Sequence, residues 1–137
     1  MAIFGSRMLL LTPGLQIIKE LSGPKYGFNG PRYQDVTLDG TLIVADKYTH
    51  SVKIIVVDGA LLQVIGKGQA AKGPGKFLTL EGVELKGDIL CIADSGNDRI
   101  VKYRMTRRSK DPHTHGRYRI FLCGALWLRL YRLEASV

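Results

Sequence analysis

Two cysteines, Cys91 and Cys123, are too few for a disulfide framework or a zinc cluster. Cys91 sits within an apolar run and reads as a buried thiol, and neither cysteine fixes the redox compartment. Long apolar stretches are also scarce. Ile120 to Leu128 is nine residues without a charge, whereas a membrane-crossing helix needs about 20. The apolar run Met8 to Leu11 is four residues, too short for the centre of an export signal. The sequence therefore predicts no membrane span and no export signal, and it points to no particular compartment. It shows no Ser/His/Asp or Cys/His arrangement suited to nucleophilic catalysis. The glycine-rich stretch GKGQAAKGPGKF, Gly66 to Phe77, lacks the Gly-Lys-Ser/Thr ending of a phosphate loop and reads as a connection between strands.

Glycine and positive charge are what the chain has in plenty. Its 16 glycines fall between apolar runs, as turns of an all-β protein would. The formal net charge is +8, unevenly placed: residues 1–105 hold 13 Lys and Arg against 10 Asp and Glu, and residues 106–137 hold 7 against 2. The basic C-terminal tail uses 6 Arg and 1 Lys, while the body uses 4 Arg and 9 Lys. This shift sets 106–137 apart. Either the pattern of the body is lost near residue 106, or Gly116 to Gly124 forms a last strand.

Internal repetition is the strongest signal. IADSGNDRIVKYR (Ile92–Arg104) parallels VADKYTHSVKII (Val44–Ile55), with Asp94 and Asp46 48 residues apart. GPKYGF at Gly23 parallels GPGKF at Gly73, and DVTLDGTLIVAD (Asp35–Asp46) parallels GVELKGDILCIAD (Gly82–Asp94). Each unit reads as four short strands, rich in Val, Ile and Leu as β-structure prefers. In the complete copy, strand a lies near Tyr33–Leu38, b near Thr41–Asp46, c near Ser51–Val57 and d near Ala60–Ile65. Asp39-Gly40 and Asp58-Gly59 supply hairpin turns. Four antiparallel strands every 40–50 residues or so predict propeller blades. The expected fold is thus all-β: antiparallel four-stranded blades of an incomplete, open β-propeller.

The string GPGKFLTLEGVELKGDILCIADSGNDRIVKY (Gly73–Tyr103) resembles the NHL repeat, and FNGPRYQDVTLDGTLIVADKYTHSVKII (Phe28–Ile55) is a looser match. In the looser copy Thr49 and Ser51 stand where the pattern has Asn and Arg. The resemblance implies a half blade over 8–23, a full blade over 28–66 and a partial blade over 77–105. A ring needs more blades than that. The chain is therefore expected to be part of a longer propeller, or a subunit that buries its edges against further blades or by self-assembly. The resemblance implies a binding scaffold. It leaves two alternatives: a piece of a metal-dependent propeller lyase or hydrolase, with Arg32, Tyr33 and Glu81 nearest the axis, or an RNA-binding face.

The crowd of Asp94, Asn97, Asp98 and Arg99 looks catalytic, but its recurrence in a second unit argues for a structural device. Asp94 ends strand b, Asn97 suits the left-handed turn position, and Arg99 can reach back to a carboxylate. Asp46 takes the place of Asp94 in the other copy. His113 and His115 could share one strand face, yet no third metal ligand has suitable spacing. WLRLYRL, Trp127 to Leu133, alternates apolar and basic residues as a membrane-surface segment could. No cofactor or metal site is expected. In an up-and-down blade the b–c and d–a links emerge at one end and the hairpins at the other. The first end collects Lys25, Lys47, Lys67, Lys72, Lys76, His50 and Arg99, against Asp46, Asp94 and Asp98; the second collects Asp39, Asp58 and Asp88, with Lys86. This predicts an anionic ligand, a protein or a nucleic acid at the b–c/d–a face, with Lys47, His50, Lys67, Lys72, Lys76, Arg32 and Tyr33 as binding residues.

Overall fold

Asp-Gly steps turn the chain at both hairpins of the central unit. Asp39 and Asp58 each accept a backbone N–H two residues on, from Thr41 and Ala60, and Gly40 and Gly59 follow with positive φ. That is the local geometry Asp and Gly favour in tight turns. The computed structural model describes residues 2–4, 6–56, 58–66, 70–73, 75–107 and 118–122, with backbone alone for 2–4, 106, 107 and 118–122.

Strands β1 (Ala2–Phe4), β2 (Arg7–Leu11) and β3 (Ile17–Leu21) form a three-stranded sheet. β4 (Pro31–Val36), β5 (Leu42–Asp46), β6 (Ser51–Ile55) and β7 (Leu61–Ile65) form a four-stranded sheet in chain order. β8 (Leu80–Lys86), β9 (Ile89–Asp94), β10 (Arg99–Arg107) and β11 (Tyr118–Leu122) form another, with the 3-10 turn η1 (Ser95–Asn97) between β9 and β10. Every strand pairs antiparallel with its sequence neighbour within its sheet. Among the described residues there is no α-helix and no closed barrel; the sheets are propeller-like blades in an open stack.

The middle sheet is covered on both sides, and this explains its sequence. All residues of β5 and β6 are buried. Leu42, Val44 and Ile55 pack with Met8, Leu21, Tyr26 and Phe28 of the first unit. Their alternates Ile43, Ala45, Val52 and Ile54 pack with Phe77, Leu90 and Ile92 of the third. A strand sandwiched between two layers must be apolar on both faces, so LIVAD shows little alternation. Each fully buried Ile or Val here contributes about 1.5–3 kcal/mol. Phe28 and Phe77, the repeated Phe of the connections, seal these cores at equivalent places. Phe28 stacks on Tyr26 with ring centroids 5.3 Å apart, and Phe77 meets Tyr103 edge-on at 6.4 Å.

Three details differ from the sequence expectation. The first unit is larger than a half blade over 8–23, because β1 pairs with β2. Strand a runs Pro31–Val36 rather than Tyr33–Leu38, because Thr37 N–H already bonds across the hairpin to Thr41 O at 2.9 Å. Cys91 is partly exposed rather than buried; Leu90 and Ile92 on either side point into the core, which turns Cys91 to the outer face of the third sheet. In the tail, β11 pairs with β10 in the position of strand d. His113, His115 and Trp127–Leu133 lie outside the described residues. No helix of the described residues is long and apolar enough to cross a membrane.

Candidate functional site

Asp94 is fully buried at the end of β9. A buried carboxylate costs several kcal/mol unless hydrogen bonds and a cation replace its water. Here Leu78 N–H donates to Oδ1 at 2.7 Å, and Asn97 Nδ2 and Arg99 Nε donate to Oδ2 at 2.9 and 2.7 Å. The donors also reach onward. Asn97 Nδ2 bonds the carbonyl of Ala71 at 3.0 Å, and the second guanidinium nitrogen of Arg99 bonds those of Gly73 and Lys76 at 3.0 and 2.6 Å. The Arg99 fork is thus shared between the carboxylate and backbone carbonyls, and the group fastens the connection before β8 onto the β9–β10 turn. The left-handed residue of that turn is Asp98 (φ 52°), not Asn97, which sits in η1 with its side chain turned inward.

Asp46 repeats the arrangement with a different cation. It is fully buried, and Asn29 N–H donates to both oxygens at 3.0 Å. Ser51 occupies the position of Arg99, but the charge is not missing. Lys53, two residues further along β6 and 4% exposed, donates to Asp46 Oδ2, to Thr49 Oγ1 at 3.1 Å and to the carbonyl of Gly27 at 3.3 Å. Its ammonium lies 5.1 Å from the centre of the Phe28 ring. Residues two apart on a strand share a face, so Lys53 reaches back to the same carboxylate. Gly27 and Lys76, whose carbonyls take the cation's second bond, are 49 residues apart, as are Asn29 and Leu78. The sequence treated Lys53 as an ordinary strand residue, and the period of two was the signal that would have found it.

The second and third sheets meet where β8 packs against β4 and, less extensively, β5. Each of these strands carries a bulge at the same place: the ladder slips between Pro31 and Tyr33, and between Leu80 and Gly82. The skipped residues are Arg32 and Glu81, and a bulge re-aims the side chain it carries. Glu81 bridges the sheets. Its Oε2 accepts from Tyr33 OH at 2.8 Å, and its Oε1 is ion-paired with Lys47. Hydrogen bonding from Lys47, then from Tyr33, holds the Glu81 carboxyl below its ordinary value of 4.5, and the bond to Glu81 pushes the Tyr33 phenol above 10.0. A depressed carboxyl stabilises the folded state fully above its unfolded value and ceases to do so as pH falls through the folded one. The clasp is therefore expected to be lost in acid, below pH 4.5. Melting temperatures across that range should fall more steeply for the parent than for Glu81→Gln; parallel curves would refute the assignment.

Arg32, the other bulge residue, is exposed. Its guanidinium lies 5.6 Å from the centre of the Tyr48 ring, and it donates to Tyr48 OH at 3.4 Å. That ring also lies against Gly30, where a Cβ would meet Tyr48 Cδ2 at 2.6 Å. An open groove of about 550 Å³ runs beside these residues, lined by Asn29, Gly30, Pro31, Arg32, Tyr33, Tyr48 and Ser6 of the first unit.

The remaining sequence candidates divide. Lys72 and Lys76 are exposed. Lys47 is tied to Glu81, and His50 Nδ1 accepts the N–H of Thr79 at 3.0 Å. Both are named above as binding residues of the loop face; in the structure they join the second unit to the third. Lys25 does not add to the loop face either, since it donates to Gly59 O in a hairpin at 3.0 Å. Lys67 lies outside the described residues. Among the described residues no three His, Cys, Asp or Glu side chains converge as metal ligands. No protein-family model matches the chain, and no characterised protein matches it.

Proposed function

We propose that this chain is a binding module, an NHL-like propeller segment whose b–c/d–a loop face receives an anionic partner. One observation carries the reading. Asn97 and Arg99 take the carbonyls of Ala71, Gly73 and Lys76 inward. The connection is thereby fastened by its backbone, and Lys72 and Lys76 stand exposed on it. Neither lysine is ion-paired among the described residues. Exposed positive charge attracts polyanions, and the attraction weakens as the salt concentration rises. Arg32, exposed beside Tyr48, adds a cation near the inner strands.

Heparin serves as the probe. Changing Lys67, Lys72 and Lys76 together to Ala is expected to weaken heparin binding about tenfold or more at low salt and to flatten its salt dependence. The melting temperature should hardly change, because Lys72 and Lys76 are exposed. Equal heparin affinity in the parent and the triple variant would overturn the proposal.

A further inference from the structure

Asn29 and Asn97 are the two asparagines of the chain. Asn97 is buried in the Asp94 group, where its amide nitrogen donates to Asp94 and to the Ala71 carbonyl. Asn29 is exposed, and Gly30 follows it. An asparagine can close on the chain when the nitrogen of the next residue attacks its Cγ, and a glycine there has no side chain to stand in the way. The Gly30 N–H donates no backbone hydrogen bond among the described residues. The Asp46 clamp nevertheless holds this dipeptide along its backbone. Asn29 N–H donates to both Asp46 oxygens at 3.0 Å, Asn29 O accepts from Tyr48 N–H at 3.1 Å, and Gly30 O accepts from Lys47 N–H at 3.0 Å. Ring closure needs a ψ at Asn29 outside both the α and the β regions, which sterics disfavour. The rotation that reaches it swings the Asn29 and Gly30 carbonyls away from their donors. In the third sheet the equivalent dipeptide, 49 residues on, is Leu78-Thr79, which has no amide to lose.

We infer that Asn29-Gly30 is a self-modification site gated by the Asp46 clamp: closed, the clamp keeps the dipeptide inert; once it opens, Asn29 deamidates and the connection between the first and second sheets stays open. The Gly30 nitrogen gives up its proton and bonds Asn29 Cγ, the Cγ–Nδ2 bond breaks, and ammonia leaves. Water, the sole co-reactant, then opens the cyclic imide at either carbonyl and leaves aspartate or isoaspartate at position 29. Both products add a carboxylate to the residue whose N–H Asp46 holds, and isoaspartate also adds a methylene to the main chain. The new charge faces a fully buried carboxylate whose ion-pair partner is Lys53, and like charges at one site oppose each other. Re-closure is thereby blocked, while the Asp94 clamp is untouched. The inference rests on Asn29 and Asp46, not on Lys72 and Lys76, so the two proposals fail separately.

The test incubates the full chain in mildly alkaline buffer beside the free peptide of residues 26–32. Tryptic fragments are followed by mass spectrometry, with isoaspartate resolved by chromatography. The folded parent is expected to lose the Asn29 amide about a hundredfold more slowly than the peptide, since the locally opened fraction alone reacts, and Asn97 should stay intact. Lys53→Val should speed the loss at least about tenfold over the parent, because it breaks the buried pair. Asp94→Ala, which releases the other connection, should leave the rate within about twofold of the parent's, as distant sites act independently. A parent as fast as the peptide would overturn the inference, and that comparison needs no variant to fold. So would Lys53→Val no faster than the parent, or Asp94→Ala as fast as Lys53→Val. In Asn29→Asp, which installs one product, the residue-29 amide should exchange rapidly; protection equal to the parent's would show that the modified clamp recloses and would contradict the one-way opening.

Discussion

Asp94→Ala is expected to destabilise the chain by about 3–5 kcal/mol, the cost of breaking a buried ion pair from one side. The change leaves Arg99, 6% exposed at its side chain, without its carboxylate, and leaves Leu78 N–H without its acceptor. Neither group can turn to water while Phe77 and Leu80, on either side of Leu78 and its neighbour, remain fully buried. A loss of that size is a large fraction of the 5–15 kcal/mol that holds a typical domain. Urea denaturation followed by circular dichroism should show it as an early transition. If Asp94 were instead a reactive group held in a rigid site, its removal would leave the denaturation midpoint nearly unchanged.

The second large effect concerns the other copy. Lys53→Val should also cost about 3–5 kcal/mol, because it leaves the fully buried Asp46 with the Asn29 amide as its remaining partner of those described above. Adding Ser51→Arg to this variant reproduces the third sheet, where Arg99 and Val101 hold the same two positions. The double variant is expected to regain more than half of the lost stability, since the arginine would reach the Asp46 carboxylate and the Gly27 carbonyl as Arg99 reaches Asp94 and Lys76. Differential scanning calorimetry of the three proteins decides it. A double variant no more stable than Lys53→Val would mean that the two sheets do not share one device.

Much of the architecture was legible in the sequence because hairpin chemistry is local. Asp39-Gly40, Asp58-Gly59 and the Val/Ile/Leu runs between them define strands without reference to distant residues. Recurrence of the Asp at a spacing of 48 residues separated a structural carboxylate from a catalytic one. What was not legible depends on how sheets meet. Lys53 is the exception, because the period of two along β6 already puts it on the face of Ser51, whose cross-strand partner is Asp46. The engagement of Lys47 by Glu81 and of His50 by Thr79 spans 34 and 29 residues, with no local mark on either partner. Arg32 and Glu81 could be placed near the inner strands from position alone, but the bulges that aim them are visible only in the ladders.

Asp46 and Asp94 are a single device, used twice, that clamps each inter-sheet connection by a backbone amide. The most direct measurement is amide hydrogen exchange at Asn29 and Leu78. Both lie outside the strands, where amides ordinarily exchange fast. The account predicts that both exchange as slowly as the amides of β5, and that Asp94→Ala releases Leu78 selectively before β5. Rapid exchange at Asn29 and Leu78 in the parent protein, with β5 protected, would contradict it.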